Sequence, residues 1–494
     1  MSGEDGSGDA DGGDAESVVR RERFSGGPAR DFLSSLADDE RIFVADVAVD
    51  RAHVVMLAEQ GIVDDEDAGD ILAALAEIEA EGHGALPDGE DVHEAIETAV
   101  VERVGPEGGR MHTARSRNDE VAACIRYRLR ADLLELLEAV VGTRERLLAV
   151  ADEHAETVMP GYTHLQPAQP TTVGHWACSY EGALARDTER LLDAYARVNR
   201  SPLGAAAFAG TPFDVDRERT AELLGFEGLV ENATNAVATR DFLVEATAAA
   251  ATLAVGLSGL AEDLVVFASK GHVELADDYA STSSIMPQKK NPDTLELVRG
   301  RTGDATAGLA GLVTTLKGLP RAYNRDLQRA GHHAWDAIDS TTASVEVAAG
   351  AVATAEWPAD RLAEAAGEGF STATGVADLL AESGVPFRTS HEVVARAARS
   401  ADEPGFADLN RAAEDVLGEP LTARVPREAV ETALDPTESV ASRDSRGGPA
   451  PAAVDATVDR ATDGLAADRT AVADRRKRLA DARDRLETEV ETYV

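Results

Sequence analysis

Five stretches rich in alanine, leucine and valine, at 119–154, 170–199, 235–271, 292–318 and 326–356, each run well past 20 residues. Strands of globular sheets rarely exceed about 10 residues, so the middle of this chain is predicted to be a bundle of five long helices. No run of alternating β-branched residues joined by hairpin turns argues for a substantial sheet, and the expected fold class is all-α. In 235–271, Ala248, Ala249, Ala250, Ala251, Leu253, Val255, Leu257 and Leu260 leave hardly any polar face. Such a helix needs protein on every side, more than one five-helix bundle provides, so the pattern predicts bundling between subunits.

The flanks carry shorter periods. Val44, Ala48, Ala52, Val55 and Met56, then Ile71, Leu72, Leu75 and Ile78, mark short helices separated by Gly61, by GHGALPDGE and by Gly105-Pro106. The expected organisation is a disordered acidic, Gly-rich terminus over 1–17, an N-terminal helical domain over 18–114, the central bundle over 115–363, and a C-terminal helical domain over 364–494. Order is expected to begin near Arg21. In the last helix Val458, Leu465, Val472, Leu479 and Leu486 fall seven apart, a packing stripe on a charged surface.

Charge narrows the function. With 90 Asp+Glu against 48 Lys+Arg, the formal charge of −42 excludes a nucleic acid held through its phosphates and disfavours anionic membranes. Lysine is scarce: Lys270, Lys289, Lys290, Lys317 and Lys477 are the only five. Many short, strongly hydrated carboxylates with few lysines fit a protein kept soluble in concentrated salt, where the Debye length shrinks to about 3 Å at 1 M. Cys124 and Cys178 match neither a disulfide framework nor a metal spacing and read as packing residues. The N-terminus has no basic or apolar signal region, and Ala246–Ala261, free of charge and proline, falls short of the roughly 20 residues of a membrane span. A cytoplasmic protein is expected.

Reactive side chains gather between glycines and prolines at predicted helix ends. SSIMPQKKNPD (283–293) reads as a mobile loop, with Asn291 as N-cap and Pro292 as first residue of the next helix. Serines, two lysines and an amide converging on a helix start suit carboxylate binding and a developing oxyanion. HTARSRND (112–119) offers Arg115, Ser116, Arg117 and Asn118 where a long helix begins, a set suited to gripping a carboxylate. MPGYTHLQPAQP (159–170) holds Thr163 and His164 in a Pro-flanked turn, and YNRDLQ (323–328) brings Tyr323 and Gln328.

Together, in this order and spacing, these segments resemble the fumarase/aspartase superfamily and, within it, the argininosuccinate lyase family. The resemblance implies three all-helical domains and a homotetramer built around a core of twenty helices, each active site drawing on three subunits. It implies elimination of fumarate from argininosuccinate to give arginine, without metal or organic cofactor. By resemblance, Ser283 and His164 are the proton-transfer pair, their acid and base roles not assignable from sequence. Lys289 and Asn291 stabilise the doubly charged carboxylate intermediate, and Glu296 orients the histidine. Ser116, Arg117, Asn118 and Thr163 match positions around the fumarate half, and Tyr323 and Gln328 around the arginine half. Asp91 and His93 in DVHEAIE, and Ser35 and Asp39 in FLSSLADDER, match further family positions. A nucleotide adduct such as adenylosuccinate would call for an additional basic cluster, and none is evident.

Three departures from the family pattern matter. Thr282 replaces a glycine before the two serines, which should stiffen the loop. Ala114 replaces another glycine, a mild change on sequence grounds. Relatives carry a lysine three residues after Gln328, where this chain has Gly331, leaving open whether Arg329 substitutes.

Overall fold

The structure is a computed structural model describing residues 29–494; the tail expected to be disordered and the expected onset of order near Arg21 lie outside the described residues. The five long stretches are helices: α1 Arg117–Glu153, α2 Val173–Val198, α3 Asp241–Lys270, α4 Asp293–Leu316 and α5 Ala330–Ala353. Their ends follow from local chemistry. Ser116 caps α1 in a reciprocal box with Asp119, Thr172 caps α2 by accepting from His175 N, and Gly271 ends α3 in the left-handed conformation at φ +71°. The start of α4 differs from expectation by one position. Pro292 is the N-cap and Asp293 the first helical residue, because Asn291 is held extended, paired with Ser281 in a two-residue ladder.

Three hydrophobic cores organise the chain. The largest fills the bundle, from Leu129, Leu133 and Leu137 of α1 to Leu253, Leu257 and Leu264 of α3 and Ile338 and Val345 of α5. A second gathers helices Phe43–Glu59, Asp65–Glu81 and Val92–Val104 around Val55, Leu72 and Ile96. The third joins short helices between Ala373 and Leu434 around Val376, Leu409 and Val430. The last helix, α6 Pro451–Val490, is not part of that third core. Its heptad stripe sets Leu465 and Val472 in the bundle core and Leu486 in the N-terminal one, so it straps the two together.

By length and composition α3 would suffice to cross a membrane, being 30 residues long rather than the 16 of its uncharged centre. It instead packs against α2, α4 and α5. One stripe stays open to solvent: Thr252, Val255 (57% exposed) and Gly259 on α3, beside Leu297, Gly300, Ala307, Ala310 and Val313 on α4. A single chain therefore leaves uncovered the apolar face that the sequence pattern assigns to other subunits.

The segment read as a Pro-flanked turn is an antiparallel hairpin, β1 Val158–Thr163 with β2 Gln166–Thr172. Its two tip residues, His164 and Leu165, have φ of +55° and +57°. That is the backbone of a tight hairpin turn, which normally carries Asn-Gly, so no turn signal announced it. The absence of a large sheet holds among the described residues.

Candidate active site

At one end of the bundle, the N-terminus of α1, the N-terminus of α3 and the 317–329 connection meet the second core around a cavity of about 380 Å³. Of the residues singled out in the sequence, Ser35, Asp91, Arg117, Asn118, Tyr323 and Gln328 line it, together with Asp39 and His93. Most are fixed by local bonding. Asp91 N-caps helix Val92–Val104 through Glu94 N at 2.9 Å, and its other oxygen meets Arg117 Nη1 at 3.2 Å. Ser35 donates to Asp39 at 2.7 Å, Asn118 Nδ2 to Ala207 O at 2.9 Å, and Gln328 Nε2 to Leu33 O at 3.1 Å. Burial raises the Asp39 pKa above the usual carboxylate range. Ser116 sits just behind this wall as the cap of α1.

Arg115 is placed apart from the other residues of its segment and does not line the cavity. Its guanidinium is turned inward, 1% exposed, and bridges Asp50 at 2.5 Å and Glu120 at 3.0 Å. With the chain rising into α1, Arg117 and Asn118 present to the cavity while Arg115 serves a buried cluster of Asp46, Asp50, His93 and Glu120. The two bases cannot balance three ionised acids. Burial, only partly offset by Arg115, raises the Glu120 pKa well above its ordinary value. The Cys124 thiol donates to Asp46 at 3.2 Å. These donors lie close enough together to hold a cation, but the Arg115 guanidinium already supplies positive charge among them.

Burial opposes charge on His93, yet Asp46, 2.7 Å from its Nδ1, and Glu120 outweigh it and hold the pKa up at about 10. A pKa above the unfolded value of about 6.5 means stability that is complete below that pH and fades as pH climbs toward about 10. Unfolding free energies of the parent and of His93→Gln, measured across this window, should therefore converge as pH rises. A gap independent of pH would show that the folded histidine is neutral.

The other sequence-selected residues lie elsewhere. Thr163 and His164 project from the exposed hairpin tip, which is tied near its end to the segment just after α3 by Tyr162 Oη and His272 Nε2 at 2.8 Å. Ser283, Lys289, Asn291 and Glu296 occupy the loop between α3 and α4 and the first turn of α4, with Lys289 and Glu296 exposed. Ser283 Oγ accepts from the amides of Ile285 at 3.3 Å and Met286 at 3.1 Å. Its own amide donates to Lys289 O at 3.3 Å, bringing the two ends of the loop backbone together. Thr282 is extended and paired with Lys290, so its branched side chain fits where glycine was expected. The loop is rooted by Tyr279 against α5: a Cβ on Gly350 would fall 2.0 Å from the tyrosine hydroxyl. Ala114, by contrast, has φ +63°, a conformation that costs a non-glycine residue roughly 1–2 kcal/mol, so the loss of glycine there is not mild.

Helix lengths decide what one chain can assemble. The 24 residues of α4 span about 36 Å, at 1.5 Å per residue, between the Ser283 loop and the segment carrying Tyr323. The 37 residues of α1 separate Asn118 from the hairpin by about 55 Å. None of Thr163, His164, Ser283, Lys289, Asn291 or Glu296 lines the cavity. Sequence reasoning missed His332, Trp335 and Arg240 in its wall. Their places in the wall arise only once separate segments meet, and no motif signals it.

Solved structures share this architecture. EDDS lyase in complex with formate superposes with a TM-score of 0.85 at 34% identity, over 94% of this chain and 96% of that one. The class II fumarase of Schistosoma mansoni, 16% identical, shares the fold at a TM-score of 0.69, over 81% and 90% of the two chains. A family model described as "Lyase" matches residues 31–306. The fold and these matches define a lyase of the fumarase/aspartase superfamily. A second model, "Argininosuccinate lyase C-terminal", matches residues 370–441. The argininosuccinate lyase of Haloarcula marismortui is 74% identical over 97% of both chains, and that of Natronomonas pharaonis 68% identical over 98% of both. The chain belongs to the argininosuccinate lyase family.

Proposed function

We propose that this enzyme eliminates fumarate from argininosuccinate, releasing arginine, at sites that several chains build together. Full-length identity of 74% to an argininosuccinate lyase carries the substrate assignment. The reaction needs a base to take a proton from the carbon beside one succinyl carboxylate, a carboxylate that can absorb the carbanion's charge, and an acid for the departing guanidine nitrogen. Ser283 suits proton transfer because two backbone amides already donate to its oxygen, which favours the alkoxide over the alcohol. His164 is its partner in proton transfer. Lys289 and Asn291 hold the dianionic carboxylate, and Glu296 orients the histidine. Ser116, Arg117, Asn118 and Thr163 bind the fumarate half, and Ser35, Asp91, Tyr323 and Gln328 the arginine half.

Since the cavity lies about 36 Å along α4 from the serine loop, a complete site takes the loop or the hairpin from a neighbouring chain. A homotetramer packed through the open α3–α4 stripe supplies one. We read the three cores as three domains, strapped together by α6, and the protein as a soluble cytoplasmic enzyme with neither nucleic acid nor membrane as partner. The charge of −42 supports that. The test is fumarate release, followed by absorbance in molar KCl, from argininosuccinate, adenylosuccinate and aspartate in parallel. Release from argininosuccinate alone is expected, and release from either of the others at a comparable rate would overturn the substrate assignment.

A further inference from the structure

Arg240, at the N-cap of α3, lines the cavity beside Tyr323 and is 2% exposed. Its Nη1 donates to Thr239 O at 2.7 Å and Val237 O at 3.3 Å, while Nε and Nη2 have no partner among the described residues. The other cations of this wall are matched by acids: Arg117 by Asp91, Arg325 by Glu90 and His93 by Asp46. A buried guanidinium without a counter-charge is unfavourable, and half its fork is unused. Burial accordingly draws its pKa down to about 10. An anion entering the cavity would relieve both the charge and the missing hydrogen bonds.

We propose that Arg240 is the anchor for the α-carboxylate of the substrate's arginine half, an inference that rests on the argininosuccinate reading above. The two succinyl carboxylates must lie where the proton is taken and the charge develops, at the serine loop and the hairpin histidine. The third carboxylate is the one free to enter the Tyr323 side of the cavity, where Arg240 stands. The same cavity is lined by Asp39, Glu90 and Asp91, suited to the α-ammonium group of the same amino acid. Arg329 does not take this role within the chain: it is 60% exposed, lies 3.8 Å from Asp38 and is outside the cavity lining.

The experiment runs the reaction in reverse, adding fumarate to arginine or to agmatine, which is arginine without its α-carboxylate. Arg240→Gln should lower kcat/KM for arginine by roughly 10²-fold through KM, as expected when a buried charge pair loses one member. Its KM for fumarate should stay within about threefold of the parent's, and its turnover of agmatine should match the parent's. Arg240→Lys, which keeps the charge but not the fork, should fall between. An equal loss with arginine and agmatine, or no loss with either, would overturn the proposal. If Arg240→Gln does not assemble, Arg240→Lys decides by the same comparison. A parent enzyme that joins fumarate to neither amine would instead overturn the substrate assignment itself, a distinct result because it involves no variant.

Discussion

Two inactive variants, Ser283→Ala and Asn118→Leu, should recover activity when their subunits are exchanged. Each alone is expected to lose turnover, the first by roughly 10²–10⁴-fold, the usual contribution of a proton-transfer group. Asn118 lies at the cavity end of α1, and Ser283 at the far end of α4, about 36 Å from the cavity, so the proposed site takes them from different chains. In randomly mixed tetramers, about a quarter of the sites then combine an intact serine loop with an intact cavity. Ser283→Ala mixed with Lys289→Met should recover nothing, because both residues ride on the same loop. Hybrids confirmed by native mass that remain silent in the first mixture would place serine and asparagine on one chain at each site, and the proposed assembly would fail.

That geometry was latent in the sequence. The HTARSRND and MPGYTHLQPAQP segments flank one uninterrupted helical stretch, so a helix rising 1.5 Å per residue already forbids them from meeting within a chain. Helix ends were equally legible where a side chain closes the turn, as Ser116 and Asp119 do for α1. The hairpin was not, since His164 and Leu165 adopt left-handed backbone without the glycine or asparagine that normally signals it. Such strain at a proposed proton-transfer residue is held by the strands on either side and by the Tyr162–His272 bond, not by the tip's own chemistry.

Side-chain direction was the second thing the sequence withheld. Arg115, Arg117 and Asn118 are near neighbours, and spacing offers no reason to prefer one for the substrate. Only tertiary packing turns Arg115 toward Asp50 and Glu120 and leaves the other two at the cavity. The same holds for Arg240, an ordinary arginine before a long helix until α1, α3 and the Tyr323 segment close around it. Asp46, one helical turn inside its helix, carries no sequence signal either, yet it is the buried carboxylate that keeps His93 charged.

Lowering the salt should dissolve the assembly and its activity together. The acids outnumber the bases by 90 to 48, so carboxylates exceed the cations that could pair with them and approaching chains repel. Against this repulsion the uncovered α3–α4 stripe offers small and apolar residues, Gly300, Ala307 and Val313 among them, whose burial does not weaken in salt. At about 0.1 M the Debye length is roughly 10 Å, long enough for carboxylates across an interface to repel; near 1 M it is about 3 Å and burial prevails. Relatives in halophilic archaea, 74% and 68% identical, point to the same working conditions. If, as proposed, each site is built from several chains, dissociation removes activity without any unfolding. Sedimentation and fumarate release on the same samples, from about 0.1 M to molar KCl, should rise along one curve, while the helical signal stays high at salt concentrations where activity has already gone. A tetramer fully active at the low end would mean that the acidic surface does not govern assembly; activity lost from an intact tetramer would mean that salt acts on the loop or the cavity instead.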